Sequence, residues 1–249
     1  MDSVSSTFGL HERTVLITGA SSGIGRQIAL SCAKAGATLV LTGRNDERLQ
    51  ALLDELGGAP HRMLVADLND EAQVDALSTG VGKIDGLVHS AGIAALAPLR
   101  MASREHIESQ LATNLIAPML LTRALLARQA VHNGGSIVFI SSVSAHIGVR
   151  GVSAYSASKA AVEGMARSLS IELAPRSIRV NCLAPGLVQT PLLDAAVATT
   201  GNLDETFGRY PLGIGQTEDV ANAAIFFLSR ASRWITGTTL VLDGGHTVQ

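Results

Sequence analysis

The amino-acid sequence predicts an α/β domain with a parallel sheet of seven strands and helices on both faces. Of its 249 residues, 47% are hydrophobic and 16% are charged. This composition can bury a large core and excludes disorder over most of the chain. Short β-branched or leucine-rich runs alternate with longer segments of helical periodicity, as in successive βαβ units. No linker, charge block or internal repeat marks a boundary, so residues 1–249 are assigned to one domain.

Each predicted strand is a short run of the residues that favour a buried sheet. The runs are residues 14–18, 38–42, 63–66, 86–89, 136–141, 179–183 and 239–242. The segments between them place apolar residues three and four positions apart, as helices with one buried face do. These predicted helices are residues 24–34, 47–56, 71–77, 104–129, 154–173 and 219–228.

Two segments fall outside the alternation. Residues 1–12 are polar and are expected to form a flexible tail. Residues 186–213 form a long stretch with only a short helical piece, residues 192–198. Loops of that length inside a domain are often functional, and this one is predicted to be a lid over the substrate.

Charge and aromatic content exclude nucleic acid as the main ligand. The formal net charge is −2 and aromatic residues make up 3% of the chain, so there is little to attract phosphates or to stack on bases. No apolar run predicts a membrane span, and no secretory signal is recognised. Cys32 and Cys182 lie in predicted core elements, which indicates the cytoplasm rather than an oxidising compartment. No metal site and no membrane partner are predicted.

A glycine-rich turn connects the first predicted strand to the next helix. It reads Thr18-Gly19-Ala20-Ser21-Ser22-Gly23-Ile24-Gly25. Glycines there let the backbone approach a pyrophosphate, and the free amides of the helix N-terminus stabilise its charge. The pattern predicts a dinucleotide site in a doubly wound Rossmann fold, with a purely structural turn as the alternative. The expected contacts are Gly19, Ser21, Ser22, Gly23, Ile24 and Gly25.

The end of the second strand indicates which dinucleotide binds. A site for NAD(H) normally has an acidic residue there, but this chain has Arg44, whose guanidinium can pair with a 2′-phosphate. NADP(H) is therefore favoured. NAD(H) remains the alternative, with Arg44 solvated and Asp46 capping the next helix. After the third strand, Asp67 and Leu68 are expected at the adenine, although Asp67 can equally cap a helix.

A serine, a tyrosine and a lysine form the candidate catalytic group. Ser142 follows the fifth predicted strand, and Tyr155 and Lys159 begin the next helix. A spacing of four puts Tyr155 and Lys159 on one helical face. The ammonium is then expected to lower the pKa of the phenol, so that Tyr155 can exchange protons at neutral pH. An isolated pair of this kind would more often be a surface feature without a role.

Further motifs accompany this group in a fixed order. They are Ala91-Gly92, Asn114, Asn181, Pro185-Gly186, Thr190 and Asp243-Gly244-Gly245. On these residues the chain resembles the short-chain dehydrogenase/reductase family, in the compact single-domain branch that includes the 3-oxoacyl-carrier-protein reductases. The resemblance runs from about residue 13 to the last strand. It implies NADP(H)-dependent hydride transfer between nicotinamide and a ketone or secondary alcohol, with a 3-oxoacyl thioester as one candidate substrate.

The resemblance also implies the roles of single residues. Tyr155 would be the general acid or base, Ser142 would hold the substrate oxygen, and Lys159 would bind the nicotinamide ribose. Asn114 would hold a water linked to Lys159. The remaining cofactor contacts implied are Ser90, Ala91, Gly92, Pro185, Gly186, Val188 and Thr190, besides Tyr155 and Lys159. The implied substrate contacts are Ser142, Ser144, His146, Tyr155 and Leu187.

Some residues depart from the family pattern. His89 and Ser90 stand where relatives often have two asparagines, and His89 is interpreted as a packed imidazole. Carrier-protein reductases dock their acidic carrier on basic residues; Arg176 matches one such position, but Asn133 occupies another. Two helices with apolar residues on more than one side, together with the resemblance, predict a homotetramer. The competing functions are an NAD-dependent secondary alcohol dehydrogenase and a non-catalytic NADPH-binding regulator.

Overall fold

A parallel β-sheet of seven strands forms the centre of the fold. The computed structural model describes residues 7–194 and 207–248. The strands stand in the order β3-β2-β1-β4-β5-β6-β7, and every neighbouring pair is parallel. They are β1 Thr14–Thr18, β2 Thr38–Gly43, β3 Arg62–Val65, β4 Ile84–His89, β5 Val131–Ile140, β6 Arg179–Pro185 and β7 Thr239–Leu242. The predicted fold class is confirmed.

Helices cover both faces of this sheet. They are α1 Gly23–Lys34, α2 Asp46–Glu55, α3 Glu71–Gly80, α4 Arg104–Leu111, α5 Ala117–Ala127, α6 Ser153–Leu173 and α7 Thr217–Leu228. Successive strand residues point to opposite faces, so Leu16 packs in one buried cluster with α3, α5 and α6. Its neighbours Val15 and Ile17 pack in the other cluster, with α1, α2 and α7. Cys32 and Cys182 are buried free thiols, as predicted.

The strand order places a topological switch point at the carboxyl ends of β1 and β4. The chain runs outward from β1 to β3 and then returns to add β4 on the other side of β1. Thr18 at the end of β1 therefore lies between Thr42 of β2 and His89 of β4. In open parallel sheets, ligands bind at such a switch point. The glycine-rich turn and the Ser90-Ala91-Gly92 segment leave the sheet at this place.

The segment predicted as one helix over residues 104–129 is interrupted. A π-helical turn, Ala112–Ile116, separates α4 from α5. By length and composition alone, Arg104–Ala127 is long and apolar enough to cross a membrane, whereas the sequence analysis expected no such segment. A buried helix of a globular domain passes the same test. Here Gln110, Asn114 and Thr122 are buried polar residues of this segment.

The ends of the chain and the helix caps also differ from expectation. Leu10, within the expected tail, is buried and its N–H donates to the Ala35 carbonyl oxygen at 2.8 Å. Residues 1–6 lie outside the described chain.

Asn45 caps α2 and Asp70 caps α3, through side-chain oxygens that accept backbone N–H groups. The cap roles considered for Asp46 and Asp67 are therefore wrong.

The predicted lid is described only in part. Residues 191–194 are helical, in agreement with the start of the short helical piece. Residues 195–206, which hold the rest of that piece and the middle of the lid, lie outside the described residues.

His89 is a buried, packed imidazole, as the sequence analysis interpreted it. Its ring stacks on Phe139 with centroids 4.7 Å apart and an interplanar angle of 7°. Thr122 Oγ1 donates to the Pro118 carbonyl at 2.7 Å and lies 2.8 Å from His89 Nε2. The hydroxyl proton is thus committed, so Nε2 is the donor to Thr122. Burial lowers the pKa of His89 to about 3, which keeps the ring neutral.

We predict that His89 makes the fold sensitive to acid. The unfolded chain binds a proton at His89 below about pH 6.5, but the folded chain does so only near pH 3. Stability therefore falls as the pH drops through this window, by about 2 kcal/mol at pH 5 from this residue. Urea unfolding at neutral pH and at pH 5 should show a smaller acid loss for His89→Leu than for the wild type. A His132→Ala control should keep the wild-type loss, and an equal loss in His89→Leu would contradict the assignment.

Candidate active site

The turn after β1 has the close backbone packing that a phosphate cradle requires. Gly19 has φ of +66°, and a Cβ there would lie 2.7 Å from the Ala91 Cα. A Cβ on Gly25 would lie 2.3 Å from the Gly19 carbonyl oxygen. Ser22 begins α1 without a side-chain cap, and the first turn of α1 holds no acidic residue. The first amides of α1 thus remain available to an anion, so the residues present fit a dinucleotide phosphate.

The turn after β4 closes against this cradle. Thr18 Oγ1 accepts from the backbone N–H groups of Ser90 and Ala91, both at 3.2 Å. A Cβ on Gly92 would lie 3.2 Å from Asn114 Oδ1 and 3.4 Å from Lys159 Nζ. The expected contacts Ser90, Ala91 and Gly92 therefore form one backbone wall between the cradle and Lys159.

Arg44 lies at the outer end of the cradle. The Ala20 N–H donates to the Thr42 carbonyl at 3.2 Å, which ties the glycine-rich turn to β2. A Cβ on the next residue, Gly43, would lie 3.5 Å from Ser21 Oγ. Arg44 follows and is exposed. Its guanidinium can thus reach a phosphate bound beside Ser21, in keeping with the sequence-based expectation.

The two residues expected at the adenine differ in their surroundings. The Asp67 carboxylate accepts from the Asn69 N–H at 3.0 Å, at the carboxyl end of β3. Leu68 instead packs its side chain into the core cluster below α3. The Leu68 side chain therefore belongs to the core, and the expected contact of this residue with the adenine stays a prediction.

Tyr155 and Lys159 share one face of α6, as their spacing predicts. Lys159 Nζ lies 5.6 Å from the centroid of the Tyr155 ring and donates to the Ile140 carbonyl at 2.8 Å. Burial lowers the pKa of Lys159 to about 8. Burial also raises the pKa of Tyr155, while a hydrogen bond with Ser142 lowers it in part. The expectation that Lys159 lowers the Tyr155 pKa is thus corrected: in this structure the loss of solvent outweighs other effects.

Ser142 is held so that its hydroxyl acts as a donor. It begins a 3₁₀ turn, Val143–Ala145, directly after Ser141. Its Oγ accepts from the Ser144 N–H at 3.2 Å and from Ser144 Oγ at 3.1 Å. A hydroxyl has two acceptor sites and one proton, so the Ser142 proton remains for Tyr155 or a substrate oxygen. Ser144, expected at the substrate, is buried and bonded to Ser142.

Asn114 connects the turn after β4 to helix α6. It lies in the π-helical turn and is buried. Its Oδ1 accepts from the Ile93 N–H at 2.8 Å, and its Nδ2 donates to the Ile93 carbonyl at 2.9 Å and to Ser158 Oγ at 3.1 Å. Single π-helical turns inside helices are frequent at functional sites. The turn places the Asn114 amide next to Lys159, as the resemblance implies.

The segment after β6 forms the far wall of the site. A Cβ on Gly186 would lie 2.7 Å from Tyr210 Cε1, and the Tyr210 hydroxyl accepts from the Leu187 N–H at 3.0 Å. The Tyr210 ring stacks on His246, with centroids 4.4 Å apart. Tyr210 thus packs against the Pro185-Gly186 segment, which we call the platform because the resemblance implies a cofactor contact there. Sequence reasoning missed this role, although Tyr210 is one of only two tyrosines.

The remaining predicted residues complete this wall. Val188 is buried and bridges to Gly215. Thr190 closes toward the cradle, since a Cβ on Gly23 would lie 3.6 Å from its Cγ2. The side chain of His146 is 35% exposed, and its Nε2 lies 3.0 Å from a buried carboxylate oxygen of Glu163. Glu163 was not among the site residues predicted from the sequence.

Known proteins match almost the whole chain. The family model described as enoyl-(acyl carrier protein) reductase matches residues 19–247. The (2S)-[(R)-hydroxy(phenyl)methyl]succinyl-CoA dehydrogenase subunit BbsD of Thauera aromatica is 36% identical over an alignment that covers 96% of this chain and 98% of that protein.

Solved structures are similar over almost the whole chain. A gluconate 5-dehydrogenase of Burkholderia cenocepacia in complex with NADP and tartrate has a TM-score of 0.90 and 34% identity, covering 99% of this chain and 100% of that one. A putative NAD(P)-dependent gluconate 5-dehydrogenase of Beutenbergia cavernae, with NADP bound at low occupancy, has a TM-score of 0.91 and 37% identity, with coverage of 98% and 100%.

We predict that Tyr210→Phe destabilises the platform without removing the ring stack. The substitution deletes only the hydroxyl that accepts from the Leu187 N–H, which leaves a partly buried donor without its partner. The expected loss in the free energy of unfolding is about 1–3 kcal/mol. Urea denaturation measures it, and hydrogen exchange at the Leu187 amide should accelerate. Unchanged stability and exchange would contradict the supporting role.

Proposed function

Because the chain belongs to the short-chain dehydrogenase/reductase family, we propose that it is an NADP(H)-dependent enzyme that interconverts a ketone and a secondary alcohol. Its class, an oxidoreductase acting on CH–OH groups, follows from the family. The observation that carries the proposal is the placement of Ser142, Tyr155 and Lys159 beside a glycine cradle. These three side chains can bind a carbonyl oxygen and supply its proton.

The cradle residues would hold the cofactor. Gly19, Gly23 and Gly25 would face the pyrophosphate, Arg44 the 2′-phosphate, and Pro185-Gly186 the nicotinamide. When bound, NADP(H) supplies or takes up the hydride. The preference for NADP(H) rests on Arg44 and is in keeping with the NADP found in the two similar structures. NAD(H) is the alternative that the binding experiment below tests.

Ser142 would stabilise the charge that develops on the substrate oxygen. Both acceptor sites of its hydroxyl are taken by Ser144. The hydroxyl proton is therefore left for donation to the substrate oxygen. Donors oriented before the reaction stabilise an oxyanion without reorganisation. We therefore assign Ser144 to the orientation of Ser142 rather than to direct substrate contact.

Tyr155 would transfer the proton. Burial raises its pKa above the ordinary value, so at neutral pH it is a protonated phenol, the form that donates to a ketone oxygen during reduction. Lys159, with a pKa of about 8, is mainly an ammonium at neutral pH. It would stabilise the phenolate left after donation. Asn114 would position the water that connects Lys159 to solvent.

The residues around the reacting group favour a substrate with an apolar body. The segment from Ile93 to Leu96 is aliphatic, and Leu96, Val149 and Leu192 are 44%, 44% and 51% exposed. The Ala97 N–H donates to the Gly151 carbonyl at 2.8 Å. This hydrogen bond joins the chain just after Leu96 to the chain just after Val149. Leu187 and the solvent-exposed part of the His146 side chain would contact the substrate as well.

A carrier-bound acyl substrate has weaker support. Arg176, the candidate docking residue, donates to Asn133 Oδ1 at 3.0 Å and to the Val131 carbonyl. Val131 begins β5, whereas Ser142 follows the opposite end of that strand. Arg176 thus lies away from the site and is already engaged. A 3-oxoacyl thioester stays one candidate within the ketone class. Cytoplasmic location and a homotetramer remain predictions from the sequence.

We predict that Tyr155→Phe abolishes turnover while the cofactor still binds. The variant keeps the ring and removes the proton donor, which should lower kcat at least about a hundredfold. A panel of ketones, β-keto esters and secondary alcohols, followed at the nicotinamide absorbance with both cofactors, measures it. NADPH fluorescence titration should give a Kd within about threefold of wild type. Turnover retained in this variant would overturn the assignment.

We predict that Arg44 decides cofactor preference. Loss of a charge-assisted pair with the 2′-phosphate in Arg44→Ala should weaken NADPH binding about ten- to a hundredfold, since such bonds contribute about 1.5–3 kcal/mol. The Kd for NADH should stay unchanged. Arg48→Ala, on α2 nearby, is the matched control and should leave both constants as they are. Equal NADPH and NADH affinities in the wild type would contradict the NADP(H) assignment.

A further inference from the structure

A buried carboxylate lies behind the reacting residues and has no part in the mechanism above. Glu163 stands one turn after Lys159 on α6, and its side chain is 7% exposed. Burying a carboxylate is costly unless hydrogen bonds and cations compensate for the lost water. The compensation here comes from the segment that follows β5 and carries Ser142. Glu163 therefore connects α6 to that segment.

Two donors from this segment converge on one oxygen of Glu163. Ser141 Oγ donates to Glu163 Oε1 at 2.7 Å, and His146 Nε2 lies 3.0 Å from the same atom. Ser141 directly precedes Ser142, and His146 directly follows the 3₁₀ turn that Ser142 begins. The carboxylate thus holds both ends of a six-residue turn, residues 141–146, on the helix that presents Tyr155.

The surrounding charges suit a carboxylate at this place. Lys159 and Arg167 stand one turn before and one turn after Glu163 on α6. All three charges act electrostatically on the same nearby thiol, Cys182: Glu163 raises its pKa, and the two cations lower it. Burial raises the pKa of that thiol to about 12, so Cys182 stays neutral. Glu163 is then the acceptor that fixes the His146 ring, with Nε2 as the bonded nitrogen, in the manner of a carboxylate that orients a functional histidine.

We propose that Glu163 and His146 are positioning residues, whose hydrogen bond fixes the turn 141–146 on α6 and so aims the Ser142 hydroxyl at Tyr155. The proposal rests on the proposed function, because Ser142 and Tyr155 are its reacting residues. A displacement of reacting groups by about an ångström costs up to about a hundredfold in rate. Loss of the pair should therefore lower kcat more than it changes KM.

A second histidine–carboxylate pair in the chain provides a matched control. His132 Nδ1 lies 3.0 Å from Asp85 Oδ1, the same separation as in the pair of interest. This control pair stands near the amino ends of β4 and β5, away from Ser142. His132→Ala thus reports the cost of losing such a pair on stability alone.

The experiment compares single and double variants of the pair. His146→Ala and Glu163→Leu each remove the hydrogen bond, and Glu163→Gln keeps an oxygen acceptor in its place. We expect kcat to fall about tenfold in His146→Ala and at least as far in Glu163→Leu, which also releases Ser141. The double variant should fall no further than Glu163→Leu, because the two residues act as one unit. Glu163→Gln should remain within about threefold of the wild-type kcat. KM should change little in the two Glu163 single variants, and the NADPH Kd should change little in every variant. His132→Ala should keep the wild-type kcat.

A measurement without turnover separates this proposal from the proposed function. With only Tyr155 and Tyr210 in the chain, ¹³C-tyrosine NMR gives two titrating signals, which the Tyr210→Phe spectrum assigns. If the Ser142 hydroxyl no longer donates to Tyr155 in Glu163→Leu, the pKa of Tyr155 should rise, because that hydrogen bond lowers it. Removal of the negative charge of Glu163 alone would instead lower the pKa of Tyr155. His146→Ala should raise it too.

The outcomes are distinct. A rise in the Tyr155 pKa with the matching loss of kcat supports the proposal. A fall or no change in that pKa, additive losses of kcat, or effects on thermal stability alone like those of His132→Ala overturn it. If no substrate of the panel reacts, the proposed function fails, while the titration still decides whether the pair positions Ser142.

Discussion

The site depends on one close contact, in which the turn after β1 lies backbone to backbone against the turn after β4. Gly19 permits it, because any side chain there would meet the Ala91 backbone at 2.7 Å. Thr18 Oγ1 locks it by accepting from the amides of Ser90 and Ala91. The contact arises only because the sheet order makes β1 and β4 neighbours. It brings the phosphate cradle and the wall beside Lys159 together. The positions of the other residues of the site depend on this contact.

The second half of the site is joined to the first through a local irregularity. A continuous α-helix over residues 104–127 would present a different face at Asn114 than the π-helical turn does. The turn lets one amide side chain satisfy both backbone groups of Ile93 and reach Ser158 on α6. The weaker local helix geometry is offset by three hydrogen bonds that connect separate elements. Asn114 thus couples the position of the β4 turn to the helix that carries Tyr155 and Lys159.

The sequence was sufficient for those features that depend on local pattern. Periodicity found the strands, the glycine turn found the cradle, and the spacing of Tyr155 and Lys159 put them on one face. Features that depend on contacts between distant segments could not be predicted from the sequence. The π-helical turn at Asn114, the support of Gly186 by Tyr210, and the carboxylate of Glu163 behind Ser141 each depend on partners far away in the sequence. The pKa direction at Tyr155 was missed for the same reason, since burial is a property of the whole fold.

Burial shifts the pKa values of Tyr155 and Lys159 in opposite directions, and both shifts favour the uncharged form of the side chain. It raises the pKa of Tyr155 and lowers that of Lys159 to about 8, so each group loses part of its tendency to ionise. At neutral pH the phenol keeps its proton and the lysine still carries most of its charge. In the proposed mechanism, the charge of Lys159, whose Nζ lies 5.6 Å from the centroid of the Tyr155 ring, would stabilise the phenolate that proton donation leaves. In an exposed tyrosine and lysine the ordinary pKa values are nearly equal, whereas here burial moves them apart, so that the Lys159 ammonium is a stronger acid than the Tyr155 phenol. The depth at which α6 is packed is therefore as much a part of the chemistry as the identity of the two residues.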